Sequence, residues 1–345
     1  MFESLLQRWR GSAGRPPLNL ALQGGGAHGA FTWGVLDALL ADGELGFEGL
    51  SGSSAGAMNA VVLAHGWAAG GRDGAREALA AFWQAIGQQL PFAMVQAHGD
   101  RYELSPTARA LVHWAGLFAP TQLNPFDLNP LRDILALQID FERLRAASPF
   151  KLFVGATQVE TGKLRVFREH ELTIDMLVAS ACLPRLHHTV TVDGEPYWDG
   201  GYTANPAVFP LFYECRSRDI LLVLLSPLRH EGVPTSVAEI ESRALELAFS
   251  ANFMREMRTY AHATAYAGGG IAAGPLERRL RAARFHMIEA SDLAVLHEPE
   301  TRLLAHGPFL EQLRDQGRER ALQWLAEHRA AVGRRSTLDL ARWFM

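Results

Sequence analysis

Cysteine, lysine and long apolar runs are all scarce in this 345-residue chain, and each scarcity narrows what it can be. The two cysteines, Cys182 and Cys215, form neither a CxxC pair nor a cluster with metal-ligand spacing. That argues against a disulfide framework or a cysteine metal centre and for two buried thiols in a reducing cytoplasm. Lysine stands only at Lys151 and Lys163, so nearly all of the 33 basic residues are arginine; against 37 acidic residues the formal charge is −4. Without a basic excess, nucleic acid is not an expected partner. No stretch reaches the roughly 18 uninterrupted apolar residues of a membrane span. The opening MFESLLQRWRGSAGRPP also lacks the apolar centre of a secretory signal. A cytoplasmic location is therefore expected, with peripheral contact to a membrane or to a lipid or polymer surface as its variant. Phe2, Leu5, Leu6 and Trp9 recur at helical spacing beside Arg8, Arg10 and Arg15, so residues 1–16 read as an amphipathic extension; a frayed terminus is the plainer reading of the same residues.

What is present suffices for a large core, since 48% of the residues are hydrophobic. LNLALQ (18–23) reads as a buried strand, AFTWGVLDALLADG as a helix ending at glycine, FEGLSG (47–52) as a second strand and AGAMNAVVLAHG (55–66) as a small-residue helix. That β-α-β-α order implies a right-handed parallel pair. From about 70 to 150 the pattern is helical but broken by proline and asparagine, and 88–150 is the expected cap or lid. Phe82, Trp83, Phe92, Met94, Trp114, Phe118 and Phe126 crowd this region, most of them as ordinary core. Sheet resumes in KLFVGATQVETGKLRVFRE (151–169), ILLVLLS (220–226) and RFHMIEA (284–290), with a helix at IDMLVASACLP (174–184) and further helices toward the C-terminus. The domain expectation is a catalytic core over 17–230, completed within one domain by residues 231–345.

Three motifs carry chemistry. Gly52-Ser53-Ser54-Ala55-Gly56 is G-x-S-x-G at a strand-to-helix junction, where small neighbours permit a sharp turn that projects a serine hydroxyl and the following helix offers its positive end. Gly24-Gly25-Gly26-Ala27-His28-Gly29 joins the first strand to the first helix and could present free N–H groups to negative charge. The spacing of Gly24, Gly26 and Gly29 also satisfies the dinucleotide fingerprint, but the second strand ends in the serine turn and not in the acidic residue that would hold a ribose. Asp199-Gly200-Gly201 forms a tight turn that can present a carboxylate, and a positioned, partly desolvated carboxylate can serve a serine as base. His187, His188, His230, His286 and His297 allow a Ser-His-Asp triad on paper. A nucleophile elbow after a single predicted strand comes too early for that architecture, so these histidines are expected to be structural or exposed.

Together the glycine loop, the GSSAG turn and the DGG turn resemble the patatin-like phospholipases in type, order and spacing, over roughly residues 18–230. Ala179-Ser180-Ala181-Cys182-Leu183-Pro184 also looks like the family's block before the aspartate. The resemblance implies a three-layer α/β/α fold with a mostly parallel central sheet and a helical cap insertion. It further implies a Ser54–Asp199 dyad without histidine, an oxyanion hole at Gly24, Gly25, Gly26 and Ala27, and motif support from His28, Gly29, Gly52, Gly56, Gly200 and Gly201. The activity it implies is hydrolysis of lipid or other hydrophobic acyl esters with no metal or cofactor. One departure stands in the loop: the family commonly carries arginine or lysine where this chain has His28, which puts any permanent positive charge there in doubt. A catalytically weak lipid- or polyester-granule binder and a dinucleotide-dependent oxidoreductase are the competing functional readings.

Overall fold

The computed structural model describes residues 17–90, 94–99, 101–230, 232–267 and 274–345; the expected amphipathic extension at 1–16 and Phe92 lie outside the described residues. Strand β1 (Leu18–Leu22) is followed by helix α1 (Gly29–Asp42), strand β2 (Phe47–Gly52) and helix α2 (Ala55–Gly87). A hairpin of β3 (Val95–His98) and β4 (Arg101–Leu104) leads to α3 (Pro106–Ala115) and α4 (Pro130–Gln138). Then come β5 (Lys151–Gln158), β6 (Leu164–Arg168), α5 (Ile174–Ala179), β7 (Val190–Val192), β8 (Glu195–Asp199) and β9 (Asp219–Val223). The long α6 (Val237–Tyr266), β10 (Arg284–Ile288) and α7 (Gly307–His328) complete the main elements.

The central sheet runs β10-β9-β1-β2-β5 with every pairing parallel, and β6, β8 and β7 add antiparallel strands beyond it. Its strands are apolar on both faces because both are covered. Leu18, Leu20, Leu22, Leu221 and Val223 pack into one core with residues of α1, α2 and α7. Ala21, Ile220 and Leu222 point the other way, into a second core with Phe253, Met257 and Tyr260 of α6. Two covered faces make three layers, as expected. Helix α1 is apolar nearly all round and correspondingly buried. It crosses α7 at a glycine contact: a Cβ on Gly34 would lie 1.8 Å from the Arg314 carbonyl oxygen, and one on Gly317 2.0 Å from that of Phe31.

The small-residue helix expected over 55–66 forms, and α2 joins it to a second helical stretch that ends at Gly87; the two meet at the non-helical Gly70 and Gly71, so that Gly66 lies against the Gly74 carbonyl. The segment 88–150 is not uniform: α4 returns to the body and buries Ile134 and Leu135, whereas between residues 106 and 128 Ala108 is the one buried side chain. Phe82 and Trp83 belong to the core, while Trp114, Phe118 and Phe126 are exposed.

Candidate active site

Strand β5 organises the site. One of its edges pairs with β6 over Phe153–Thr157. A strand has two edges, so β2 and β8, which pair with Lys151–Val154 and Ala156–Gln158 respectively, must lie end to end along the other. Gly52 is thereby registered to Val154 and Asp199 to Ala156, with Gly155 between them. The junction is tight: a Cβ on Gly155 would stand 2.7 Å from Ser53 Oγ, and one on Gly200 2.1 Å from the Gly155 carbonyl. The DGG turn and the serine turn are therefore in direct contact.

Ser54 leaves β2 with φ 54° and ψ −130°, a left-handed backbone rarely taken by a residue with a side chain, and it sits at the N-terminus of α2. Neighbours hold this strained turn from all sides. The Ser54 N–H donates to both the carbonyl and the hydroxyl oxygen of Ser180, each at 3.0 Å. Ser53 Oγ donates to the Ala204 carbonyl at 2.6 Å. A Cβ on Gly56 would meet the Leu22 carbonyl at 2.1 Å, so the first turn of α2 fits only because that residue is glycine. Ser54 itself is partly exposed, leaving its hydroxyl reachable from solvent.

Asp199 lies beneath it, 1% exposed. Its Oδ1 accepts the Gly201 N–H at 2.7 Å, its N–H donates to Cys182 O at 2.8 Å, and its carbonyl accepts Thr157 Oγ1 at 2.8 Å. Oδ2 is buried without a full hydrogen-bond partner. Burial pushes the carboxyl up to about 7, opposed by the Gly201 N–H and by the neighbouring Ser54 hydroxyl. The Ser54 hydroxyl favours the ionised form of the carboxylate. A carboxylate that titrates near neutrality can take a proton and return it.

The glycine loop closes the third side. A Cβ on Gly24 would lie 2.4 Å from Ser53 O and 2.8 Å from Ser54 Cβ, so the loop reaches the serine turn at van der Waals contact. The expectation that Gly24 offers a free N–H is corrected: it donates to Asn205 Oδ1 at 2.7 Å, and Asn205 Nδ2 donates back to Gly24 O. Gly25, Gly26 and Ala27 remain as the candidate donors. With Ser53, Ser54 and Asn205 filling the Gly24 face, the close backbone approach a pyrophosphate needs is blocked there.

His28 is 1% exposed, and burial, aided by the Arg302 charge, holds it down at about 3; it is a neutral imidazole. Its Nε2 lies 2.7 Å from Thr301 Oγ1, whose single proton is directed at the carbonyls of Glu298 and Val295. Thr301 must then accept, which fixes the Nε2–H tautomer of His28. The carbonyl of the next residue, Arg302, would sit 2.5 Å from a Cβ on Gly26. Residues 301–302 therefore brace the loop from behind, a job that sequence reasoning did not assign to them; it also missed Asn205 and Gly155, and it named Ser180 within the 179–184 block without giving it a role. The other histidines hold structural places: His286 is buried against Asp219 Oδ1 at 3.1 Å, and His297 meets Ser291 O at 2.6 Å. Among the described residues no group of His, Cys, Asp and Glu is placed to hold a metal ion.

Comparison with known proteins adds two findings. A family model described as patatin-like phospholipase matches residues 20–212. Among solved structures, the crystal structure of VipD from Legionella pneumophila is similar with 17% identity and a TM-score of 0.42, covering 92% of this chain and 68% of that one. No curated protein matches.

Proposed function

The chain belongs to the patatin-like phospholipase family, and we propose that it hydrolyses acyl esters of lipids through Ser54 as nucleophile and Asp199 as general base. The observation that carries the reading is the end-to-end seating of β2 and β8 on β5, which puts a buried, half-satisfied carboxylate next to a strained serine turn. In this reading Asp199 Oδ2 takes the Ser54 proton as Oγ attacks the acyl carbonyl. The N–H groups of Gly25, Gly26 and Ala27, with the positive end of α2, stabilise the tetrahedral oxyanion. Asp199 then protonates the departing alcohol, leaving an acyl-serine, and repeats the cycle on a water molecule that releases the fatty acid. No permanent charge is required of the loop, since His28 is neutral and acts by holding it.

The test pairs a fluorescent organophosphonate with a lipid-ester panel. Wild-type protein should label and turn over esters, and Ser54→Ala should do neither. Full labelling of the alanine variant would remove Ser54 from its assigned role. Binding of lipid without any Ser54-dependent turnover would favour the granule-binding reading.

A further inference from the structure

The stretch between β4 and α4 is built unlike the rest of the protein. Its large apolar side chains face outward: Leu111, Trp114, Leu117, Leu123, Phe126 and Leu128 are between 42% and 84% exposed. Trp114 and Phe118 meet in a tilted ring contact, centroids 4.8 Å apart, while both remain exposed, so part of this apolar surface is contiguous. Contiguous exposed apolar surface on this scale marks a contact site. Between Glu103 and Asp127 the chain has no acidic residue, and its one arginine, Arg109, lies at the base of α3, 3.5 Å from Glu103. An indole among aliphatic side chains, with Arg109 and His113 alongside and Asp127 as the one carboxylate between residues 104 and 128, suits the boundary between water and acyl chains.

The patch is also attached to the site. Ser180 holds the Ser54 N–H and Cys182 O accepts the Asp199 N–H. A few residues on, Arg185 Nη2 lies 3.7 Å from where a Cβ of Gly116 would be, and His188 Nδ1 lies 3.8 Å from Asp127 Oδ1. Leu186, between them in sequence, is an exposed apolar side chain at 46%. One short loop thus ties the serine and the carboxylate to the exposed arm.

We infer that residues 106–128 form a lipid-docking arm that seats the protein on the surface of a bilayer, Trp114, Leu117 and Phe126 entering the headgroup boundary and the Ser54 site turned toward it. This rests on the reading that the site acts on lipid esters, whose acyl chains are available chiefly in aggregates. No helix among the described residues is long and apolar enough to cross a membrane, so the arm would lie in the interface.

The experiment uses the full chain carrying Ser54→Ala, so that lipid is bound but not consumed, and vesicles of equimolar phosphatidylcholine and phosphatidylglycerol. The Ser54→Ala protein should sediment with the vesicles. Adding Leu117→Asp and Phe126→Asp should lower the partition coefficient by about 100-fold, since two exposed anchors are removed. With Ser54 intact, the same pair should leave turnover of a water-soluble butyrate ester unchanged and cut hydrolysis of vesicle lipid. Equal vesicle binding with and without the two aspartates would overturn the proposal. So would a wild-type dimer, made monomeric by the two aspartates, that ignores vesicles; the arm would then join two copies. Absence of turnover with both substrates, alongside normal vesicle binding, would count against Ser54 and leave the arm standing.

Discussion

Replacing Asp199 by asparagine should abolish activity and stabilise the protein, and the gain should follow pH. The carboxyl titrates at about 7 in the fold because it is shut away from water. That is some three pH units above an unfolded aspartate at ~3.9. Between about pH 4 and 7 the native protein keeps a proton that the unfolded chain has released, so stability falls as pH rises through that window. At about 1.4 kcal/mol per pH unit, ionising Asp199 in place costs about 4 kcal/mol once the pH exceeds 7. Asparagine escapes this cost, while its oxygen can still accept the Gly201 N–H and its NH2 group replaces Oδ2 beside Ser54. Urea unfolding of both proteins from pH 4 to 8 should therefore show the variant gaining steadily on wild type, by about 4 kcal/mol in all. Glu256, also pushed to about 7 by burial, tilts both curves alike and cancels in the difference. Activity should mirror the loss: kcat/KM should rise with pH up to about 7, where the base ionises, and then level off. A stability difference flat with pH, or activity already maximal at pH 5, would refute the argument that a desolvated Asp199 is the base.

Two further changes probe the glycine loop. Gly24→Ala drives a methyl into Ser53 O and Ser54 Cβ, so the serine turn must shift. Phosphonate labelling should slow by about 100-fold or more, with stability reduced by roughly 1–3 kcal/mol. Thr301→Val strands the buried Nε2–H of His28 and should cost about 1–3 kcal/mol in thermal unfolding as well as lowering kcat. Thr301→Ser, which keeps the hydroxyl, should recover most of both.

Local patterns explain which parts of this architecture were readable in advance. Strand β2 coincides with FEGLSG, β1 and β10 fall inside their expected segments, and β9 begins at Asp219, one residue before its expected run, and ends at Val223, because a strand covered on both faces has little choice of composition. The three motifs were legible because glycine and serine stand where the backbone allows little else. Gly24 touches Ser54, Gly200 touches Gly155, and Gly56 touches Leu22. The pairing of β8 was not legible. Tyr197-Trp198-Asp199 reads as the approach to a turn, and only its antiparallel register with β5 makes it a strand. The roles of Asn205, Ser180 and Thr301 were missed for a related reason: each acts through hydrogen bonds to a residue over a hundred positions away, which leaves no periodic trace. The dual capture of the Gly24 amide and carbonyl by Asn205 is the clearest case, since it withdraws from the hole a donor that the loop alone seemed to provide.

Strand β5 donates no group to the proposed chemistry, yet it acts as the ruler against which that chemistry is spaced. Val154 holds the end of the strand that leads to the hydroxyl and Ala156 holds the end that bears the carboxylate. Inserting or deleting one residue between those two marks would turn the downstream half of the strand over and carry Asp199 to the opposite face, with every reactive side chain still in the sequence. Damage to such a site can therefore originate at Gly155, a position that no search confined to its motifs would inspect.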